Sequence, residues 1–272
     1  MALGVLNNIS AISAENNLNQ TQSALNTTLQ QLSSGSRINS GADDAAGLSL
    51  ANALQASSTA LTQSSTNASE GVDMLQVADG ALSQITTLLN RAVTLATEAS
   101  NGTMNTAQVS AANAEYTNIL GEINKINTNT EYNGIAVFGA TAATVYTSDG
   151  TLSQTNDATI GATVGASSDL GLTAAGFTAT TASSELTNIT KAIGTVATDR
   201  GTAGADINTL QAVSNVMSTE STNTLSAEND VTATDYGAAT SNMSKDQILM
   251  QTGIAALAQA QQSQGLITKL LQ

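Results

Sequence analysis

Residues 54–96, LQASSTALTQSSTNASEGVDMLQVADGALSQITTLLNRAVTLA, place a leucine or alanine at every seventh position. The repeat consists of Leu54, Leu61, Ala68, Leu75, Leu82, Leu89 and Ala96, and Val72, Ile85, Ala92 and Val93 widen it into one helical face. A sustained seven-residue repeat is typical of a long helix in coiled-coil-like contact. The stretch therefore predicts a long helix with a narrow apolar seam.

The sequence also marks the two ends of this helix. Asp43 or Asp44 predicts its start, because a carboxylate there caps free N–H groups and complements the helix dipole. These two carboxylates could instead bind a metal or act as an acid–base pair, but adjacent helical positions diverge by about 100°, which favours capping. Asn101-Gly102 predicts the end, because glycine adopts the left-handed conformation that closes a helix. Such a helix is on the order of 80 Å long.

Two glycines lie inside the predicted helix, Gly71 and Gly80. Each costs about 1 kcal/mol relative to alanine. We predict that they allow another helix to approach closely, with flexibility of the helix as the alternative.

Two further helical patterns have apolar residues spaced three and four apart. They consist of Val109, Ala112, Tyr116, Ile119, Ile123 and Ile126, and of Leu186, Ile189, Ile193, Val196, Arg200, Ala203, Ile207 and Leu210. Asn105 or Thr106 can cap the first pattern, and Asn133-Gly134 turns the chain after it. Arg200 lies on the seam, where its stem snorkels along apolar surface or its guanidinium pairs with a carboxylate across the bundle.

Residues 139–182 have no helical period and are rich in Thr, Ala, Gly and Ser. Residues 144–152 predict a β-hairpin with an Asp149-Gly150 turn, and residues 160–164 predict another short strand.

Both chain ends predict amphipathic helices. The first carries Leu3, Leu6, Ile9, Ile12, Leu18, Leu25, Leu29 and Leu32, and the last carries Ile248, Leu249, Ile254, Leu257, Leu266, Ile267, Leu270 and Leu271. Neither has a partner nearby in sequence, so the simplest pairing is of one with the other. Because solitary helices are marginal in water, we expect weakly ordered ends until neighbouring molecules bury these stripes.

The composition argues against several functional classes. The formal charge of −14 opposes binding to nucleic acid or to an anionic membrane surface. The chain has no His and no Cys, which removes the usual general base, the thiol nucleophile and the commonest soft metal ligands. We predict no catalytic site, no metal and no cofactor. Asn and Gln interrupt every apolar group near the N-terminus, so we expect neither a cleaved signal peptide nor a membrane-inserted segment.

Specific motifs resemble the bacterial flagellin family. The N-terminal half contains LSSGSRINS at 32–40 and DDAAGL at 43–48, and the C-terminal half contains SNMSKDQIL at 241–249 and LAQA at 257–260. The motifs NGT at 101–103 and YNG at 132–134 also occur where the family pattern has them. The resemblance covers about residues 1–139 and 183–272.

The predicted fold is mainly α, with long helices in a coiled-coil-like rod, a small β-hairpin region and discontinuous domains formed by both chain ends. The resemblance implies a terminal inner coiled-coil domain of 1–42 with 231–272 and a helical rod domain of 43–140 with 182–230. The resemblance assigns residues 141–181 to a β-hairpin and variable segment on the rod. Because this segment is short, the resemblance implies a minimal flagellin without a large outer domain. Burial of the apolar terminal stripes among neighbouring copies predicts an assembly surface made of Leu18, Leu25, Leu29, Leu32, Leu249, Leu257, Leu266 and Leu270.

The resemblance also implies a role and partners. The expected role is that of a structural subunit that polymerises into the extracellular flagellar filament for motility. The expected partners are copies of the same chain, the flagellar cap and hook-associated proteins, a flagellin export chaperone and the type III export apparatus.

In flagellins sensed by a Toll-like receptor of the host, an Arg and a Leu on the long helix and a Glu on the next helix form much of the contact. The matching positions here are Arg91, Leu95 and Glu115, although the chain departs from sensed flagellins at Asn90, Val93 and Thr94. The alternative is that these three residues serve packing and subunit contacts.

Three other functions remain open from the sequence. A hook–filament junction protein shares the N-terminal pattern, although the C-terminal match favours the filament subunit. A secreted coiled-coil adhesin or fibre protein would share the heptads but not both terminal motifs. An enzyme carried in the centre would have about 40 residues without His or Cys to work with.

Overall fold

The computed structural model describes residues 8–138, 143–148, 158–160, 170–172 and 176–270. The helices within these residues are α1 (Ile9–Ser34), α2 (Ala45–Ser100), α3 (Thr106–Asn129), α4 (Ala182–Thr232) and α5 (Tyr236–Leu270). The strands are β1 (Glu131–Tyr132), β2 (Ile135–Ala136), β3 (Ala143–Val145) and β4 (Ala158–Ile160), paired β1–β2 and β3–β4. The predicted class, mainly α with long helices and small β-hairpins, is confirmed.

The chain divides into two compact units. One consists of Met1–Gln55 and Thr224–Gln272, which we call the terminal unit, and the other is Ala56–Asn223, the central unit. The predicted domain boundaries near residues 42 and 230 stay a prediction.

The helix ends follow the local chemistry of the sequence. The Asp44 carboxylate accepts the Gly47 backbone N–H at 2.8 Å, which caps the start of α2. Gly102 has φ of +68° just after the end of α2. Asn105 and Gln108 exchange side-chain-to-backbone hydrogen bonds of 2.9 Å in each direction at the start of α3. The capping predictions for both helices are confirmed.

The core of the central unit lies along the seven-residue seam of α2. Every repeat position from Leu61 to Ala96 is at most 1% exposed. Most of the predicted apolar positions of α3 and α4 are buried with them, and Val137, Phe138, Leu170, Leu172 and Phe177 complete the larger cluster. Burial of each large apolar side chain in this set contributes roughly 1.5–3 kcal/mol. Since these side chains lie along the seam, the helices must stay in contact along their length to bury them.

Arg200 on α4 pairs with a carboxylate on α2, one of the two alternatives left open by the sequence. Its Nε and Nη2 donate to the two Asp79 carboxylate oxygens at 2.7 and 3.2 Å. The bidentate pair fixes the register of the two helices at the edge of the apolar seam.

A buried polar pair ties α3 to the start of α4. The Tyr116 hydroxyl donates to the Glu185 carboxylate at 2.5 Å, and the Asn188 side-chain amide donates to the other oxygen at 3.1 Å. Tyr116 and Glu185 are 0% and 4% exposed. Burial, and then the hydrogen bond to Glu185, raises the pKa of the Tyr116 hydroxyl well above its ordinary value. Tyr116 therefore acts as a neutral donor.

At the opposite end of the central unit, hydroxyl pairs also join α2 and α4, in a stretch where Leu61 and Met217 are buried. Ser58 and Thr62 each lie 3.3 Å from the Ser221 Oγ, and the Ser65 and Ser214 hydroxyls are 2.9 Å apart. Either hydroxyl of each pair can donate. We call this contact the hydroxyl seam.

Threonines on the helix surfaces satisfy their hydroxyls within the same helix. The Thr86 hydroxyl donates to the Leu82 carbonyl and the Thr190 hydroxyl to the Leu186 carbonyl, each at 2.8 Å. Such bonds to the preceding turn satisfy the hydroxyls without a partner on another element.

The Asn133-Gly134 turn is confirmed, and it closes the β1–β2 hairpin. Tyr132 pairs with Ile135, and Asn133 and Gly134 have φ of +52° and +75°. Two consecutive left-handed residues form the turn that suits the twist of a two-residue hairpin.

The prediction of a tight hairpin over 144–152 is wrong. Residues of β3 pair with β4, with Val145 opposite Ala158. A two-residue turn at Asp149-Gly150 would instead pair Val145 with a residue well before Ala158. Asp149 and Gly150 themselves, and residues 161–164 of the other predicted strand, lie outside the described residues.

Long-range hydrogen bonds hold the residues that follow β3. The Asn67 side-chain amide on α2 donates to the Tyr146 carbonyl at 3.1 Å, and the Ser64 hydroxyl donates to the Ser148 carbonyl at 2.6 Å. The chain after β3 is therefore tied to α2. The local turn signal contains no information about these partners.

The predicted close approach at Gly80 is also wrong. A Cβ at this position would have no other atom within 4 Å, so no helix packs against it. Gly80 therefore weakens α2, and no close helix contact at this position compensates for it.

We expect Gly80→Ala to stabilise the central unit by about 1 kcal/mol, because alanine restricts the unfolded chain and favours helix. The melting temperature of the full chain, followed by circular dichroism, should rise roughly 2–4 °C. Gly102→Ala is the matched control, since its surroundings are equally open but its φ is +68°. It should destabilise by about 1–2 kcal/mol. Equal effects of the two substitutions would contradict this account.

We expect Tyr116→Phe to destabilise the central unit by about 2 kcal/mol, because the buried Glu185 carboxylate loses a donor. Urea unfolding should show the loss as a lower midpoint. Tyr132→Phe is the control, since Tyr132 is only half-buried and its hydroxyl makes no hydrogen bond to a described residue. A midpoint for Tyr116→Phe no lower than that of the control would show that the pair contributes nothing to stability.

Candidate assembly interface

The two terminal helices pack against each other, as the sequence predicted, and they run antiparallel. Near one end of the pair, the Asn8 side-chain amide donates to the Ala260 carbonyl at 2.9 Å. Near the other end, the Thr234 hydroxyl donates to the Gln31 carbonyl at 3.4 Å. Leu18 lies between them, within contact distance of Gly253. Chain ends more than two hundred residues apart thus form one helix pair.

The breaks between α1 and α2 and between α4 and α5 are joined by a short backbone clasp, made of residues 35–37 and 231–234. The Arg37 backbone N–H donates to the Thr232 carbonyl at 2.7 Å, and the Thr234 backbone N–H donates to the Gly35 carbonyl at 3.0 Å. The Arg37 Nη2 also donates to the Val231 carbonyl at 2.7 Å. These bonds satisfy carbonyls that a helix leaves free at its C-terminal end.

Gly35 is required by the geometry of the clasp. It closes α1 in the left-handed conformation, with φ of +72°. A side chain here would also lie 2.9 Å from the Tyr236 hydroxyl at the start of α5. The glycine of the first sequence motif therefore allows α5 to begin beside the end of α1.

The predicted assembly leucines differ in exposure. Leu25 is buried, at 6% exposed, and Leu18, Leu32 and Leu257 are half-buried. Leu29 and Leu249 are 45% and 44% exposed. The side chains of Leu266 and Leu270 lie outside the described residues. The described leucines that are buried or half-buried serve the subunit itself, and the exposed ones are free for other contacts.

Isoleucines, absent from the predicted surface, are among the most exposed large apolar side chains in the described parts of α1 and α5. On α1, Ile9 and Ile12 are 73% and 51% exposed, and on α5, Ile248 and Ile254 are 61% and 54% exposed. Both helices carry their apolar stripes around a wider arc than one partner helix covers. Sequence periodicity could identify the stripes, but the side of each stripe left open depends on how the two helices face each other.

Few described side chains of the terminal unit are buried. They are Leu25, Thr28, Ile38, Ala51, Ala239 and Asp246. Both large apolar clusters formed by described residues lie in the central unit. Among the described residues of the terminal unit little apolar surface is buried, so these residues gain little hydrophobic free energy on folding.

The predicted receptor residues do not all share one surface. Arg91 donates to Glu115 at 2.7 and 3.1 Å across α2 and α3, and both side chains are about half exposed. Their hydrogen bond raises the pKa of Arg91 and lowers the pKa of Glu115. Leu95 is 3% exposed and belongs to the core. The ion pair is a packing contact of the subunit, and a receptor role stays a prediction.

Asp43 contributes to a turn before α2. Its carboxylate accepts the backbone N–H groups of Asn39 and Ser40 at 3.1 and 2.9 Å, which lowers its pKa. Across the described parts of the chain, no three side chains of the metal-ligating types come together. No helix there is long and apolar enough to cross a membrane.

Comparisons with known proteins agree on one family. Residues 5–143 match the bacterial flagellin N-terminal helical region, and residues 186–271 match the bacterial flagellin C-terminal helical region. The chain is 42% identical over 137 residues to a flagellin of Salmonella muenchen and 39% identical over 140 residues to one of Serratia marcescens. These matches cover 50% and 52% of this chain but only 27% and 40% of the relatives.

A solved structure of Bacillus cereus flagellin is 27% identical in sequence. It covers 56% of this chain and 88% of its own, with a TM-score of 0.48.

We expect Arg37→Ala to loosen the clasp without unfolding the central unit, because the backbone bonds remain while the α4 carbonyl loses a charged donor. Hydrogen exchange of the Thr234 amide should accelerate about five- to tenfold. Lys245→Ala removes an exposed cation from α5 and provides the control. Equal exchange in both variants would mean that the guanidinium has no role in the clasp.

Proposed function

The chain belongs to the flagellin family, and we propose that it is a structural subunit that polymerises with copies of itself into the extracellular flagellar filament and so serves motility. The observation that supports this role is the exposure of apolar side chains on both α1 and α5. The central unit, in contrast, buries a large apolar cluster of its own. The role is mechanical and needs neither a catalytic site nor a cofactor.

Copies of the same chain are the partners that fit this surface. The exposed isoleucines lie on both terminal helices, so neighbouring copies can offer each other the same kind of apolar face. Burial of such surface contributes about 25 cal/mol per Å². A terminal unit with little core of its own would then complete its folding inside the polymer. Coupled folding of this kind typically costs about 2–5 kcal/mol in ordering, which makes assembly cooperative.

Charge works against assembly. Each copy carries a formal charge of −14, so neighbouring copies repel one another. At 0.15 M salt this repulsion is screened beyond about 8 Å, while apolar contacts are little affected. The proposed polymer should therefore form more readily as salt is raised from low concentration.

The predicted domains acquire roles within this proposal. Residues 1–42 with 231–272 would form the inner domain of the filament, and 43–140 with 182–230 the helical domain around it. Family membership extends the proposal to the flagellar cap, the hook-associated proteins, an export chaperone and the type III export apparatus as partners. A host receptor contact would use the exposed Arg91 and Glu115, with Leu95 held in the core.

We expect Ile254→Asp to abolish polymerisation while leaving the subunit folded, because the side chain is 54% exposed in the subunit and its burial among copies would desolvate a charge. Electron microscopy of full-length protein after salt- or seed-induced assembly would show no filaments. The melting temperature should stay that of the wild type.

Gln259→Asp is the control, because it adds the same charge to the same helix about 140° around its axis. It should still form filaments. Normal filaments from Ile254→Asp would show that the open apolar face of α5 is not an assembly surface.

A further inference from the structure

Asn133-Gly134 is a chemically reactive pair at the tip of the β1–β2 hairpin, and both residues are exposed. Neither the Asn133 carboxamide nor the Gly134 backbone N–H forms a hydrogen bond with a described residue. The backbone nitrogen after an asparagine can attack the carboxamide carbon, and glycine permits this because it has no Cβ to obstruct the approach. The other Asn-Gly pair of the sequence, at 101–102, follows α2 in a loop and joins no paired strands.

Asn113 in the same unit shows the opposite arrangement. It lies within α3 and is half-buried, and its Oδ1 accepts the Phe177 backbone N–H at 2.6 Å. The next backbone nitrogen, that of Ala114, is inside the helix and donates to the preceding turn. Attack at Asn113 would therefore require both of these hydrogen bonds to break.

Attack at Asn133 requires the turn to open, and few contacts hold it closed. Strands β1 and β2 have two residues each, and both residues of β2, Ile135 and Ala136, are exposed. A two-stranded hairpin is marginally stable in water. Asn133 also has φ of +52°, a left-handed conformation that asparagine tolerates but does not prefer. Opening of the turn relieves this conformation and brings the reacting atoms within reach of each other.

We propose that Asn133-Gly134 is a site of spontaneous deamidation, in which the chain modifies itself with water as the co-reactant. The Gly134 nitrogen forms a bond to the Asn133 Cγ, the Cγ–Nδ2 bond breaks, and ammonia leaves with the proton of the Gly134 N–H. Water then opens the resulting five-membered imide. Opening at Cγ gives aspartate, and opening at the backbone carbonyl carbon gives isoaspartate, in which the chain runs through the former side chain.

The two products change the hairpin differently. Both add one negative charge, close to the exposed Glu131, to a chain with a formal charge of −14. Isoaspartate also adds one carbon to the backbone, and a two-residue turn does not accommodate it. The pairing of Tyr132 with Ile135 should be lost, and with it the bond from the Val137 backbone N–H to the Thr130 carbonyl, which is 3.0 Å long.

The reaction needs only the free subunit, so it is independent of the proposed function. Under that function it acquires a meaning, because a copy that stays in a filament outside the cell would accumulate the change with age.

The test follows the full-length wild-type chain, incubated folded and in urea at mildly alkaline pH, by peptide mass spectrometry. Folding should slow the conversion of Asn133 by less than about tenfold, because a small hairpin opens readily. It should slow the conversion of Asn113 by roughly a hundredfold or more, because α3 belongs to the core of the central unit. A larger slowing of Asn133, or an equal slowing of the two residues, would overturn the proposal.

Two variants at the same position separate the steps. Asn133→Gln should remove the conversion, because ring closure through the longer side chain gives a six-membered ring that forms far more slowly. Conversion of this variant at the wild-type rate would show that the Gly134 nitrogen is not the nucleophile. Asn133→Asp supplies the new charge without the extra backbone carbon.

Hydrogen exchange of the Val137 amide reports on the strand pairing. It should accelerate about tenfold or more in the isoaspartate form of the wild type and stay unchanged in Asn133→Asp. Equal exchange in the isoaspartate form and the unmodified chain would overturn the predicted loss of pairing.

Discussion

The packing of α3 and α4 against the seven-residue seam of α2 is the interaction on which the central unit depends. The chain has no Trp, two Phe and four Tyr, so a wide core built on aromatic rings is not available to it. Leucine, isoleucine, valine and alanine bury enough surface only when helices stay in contact over many turns. Long helices in contact over many turns follow from this shortage of large side chains.

The two units differ in how much apolar surface their described residues bury. The central unit buries its seam completely, since the repeat positions from Leu61 to Ala96 are at most 1% exposed. The terminal unit leaves Ile9 and Ile248 mostly exposed. A subunit built this way can remain folded in its centre while its ends respond to what surrounds them.

Sequence periodicity and turn chemistry predicted the helices, the caps at Asp44 and Asn105, and the pairing of the chain ends. These features depend on residues close together in sequence or on stripes that must be buried somewhere. The partner of β3 was missed because β4 lies beyond the residues that the local turn signal covers. The open isoleucines were missed because periodicity defines a stripe but not the angle at which two helices meet.

The hydroxyl seam between α2 and α4 has a mechanical consequence. Interlocked aliphatic side chains permit one register, since any slide opens voids in a close-packed core. Hydroxyl pairs such as Ser65 with Ser214 can exchange donor and acceptor, so they alone would tolerate a small slide between the helices. The buried Leu61 and Met217 in the same stretch oppose such a slide. A load along α2 and α4 is therefore borne there by the aliphatic side chains and not by the hydroxyl pairs.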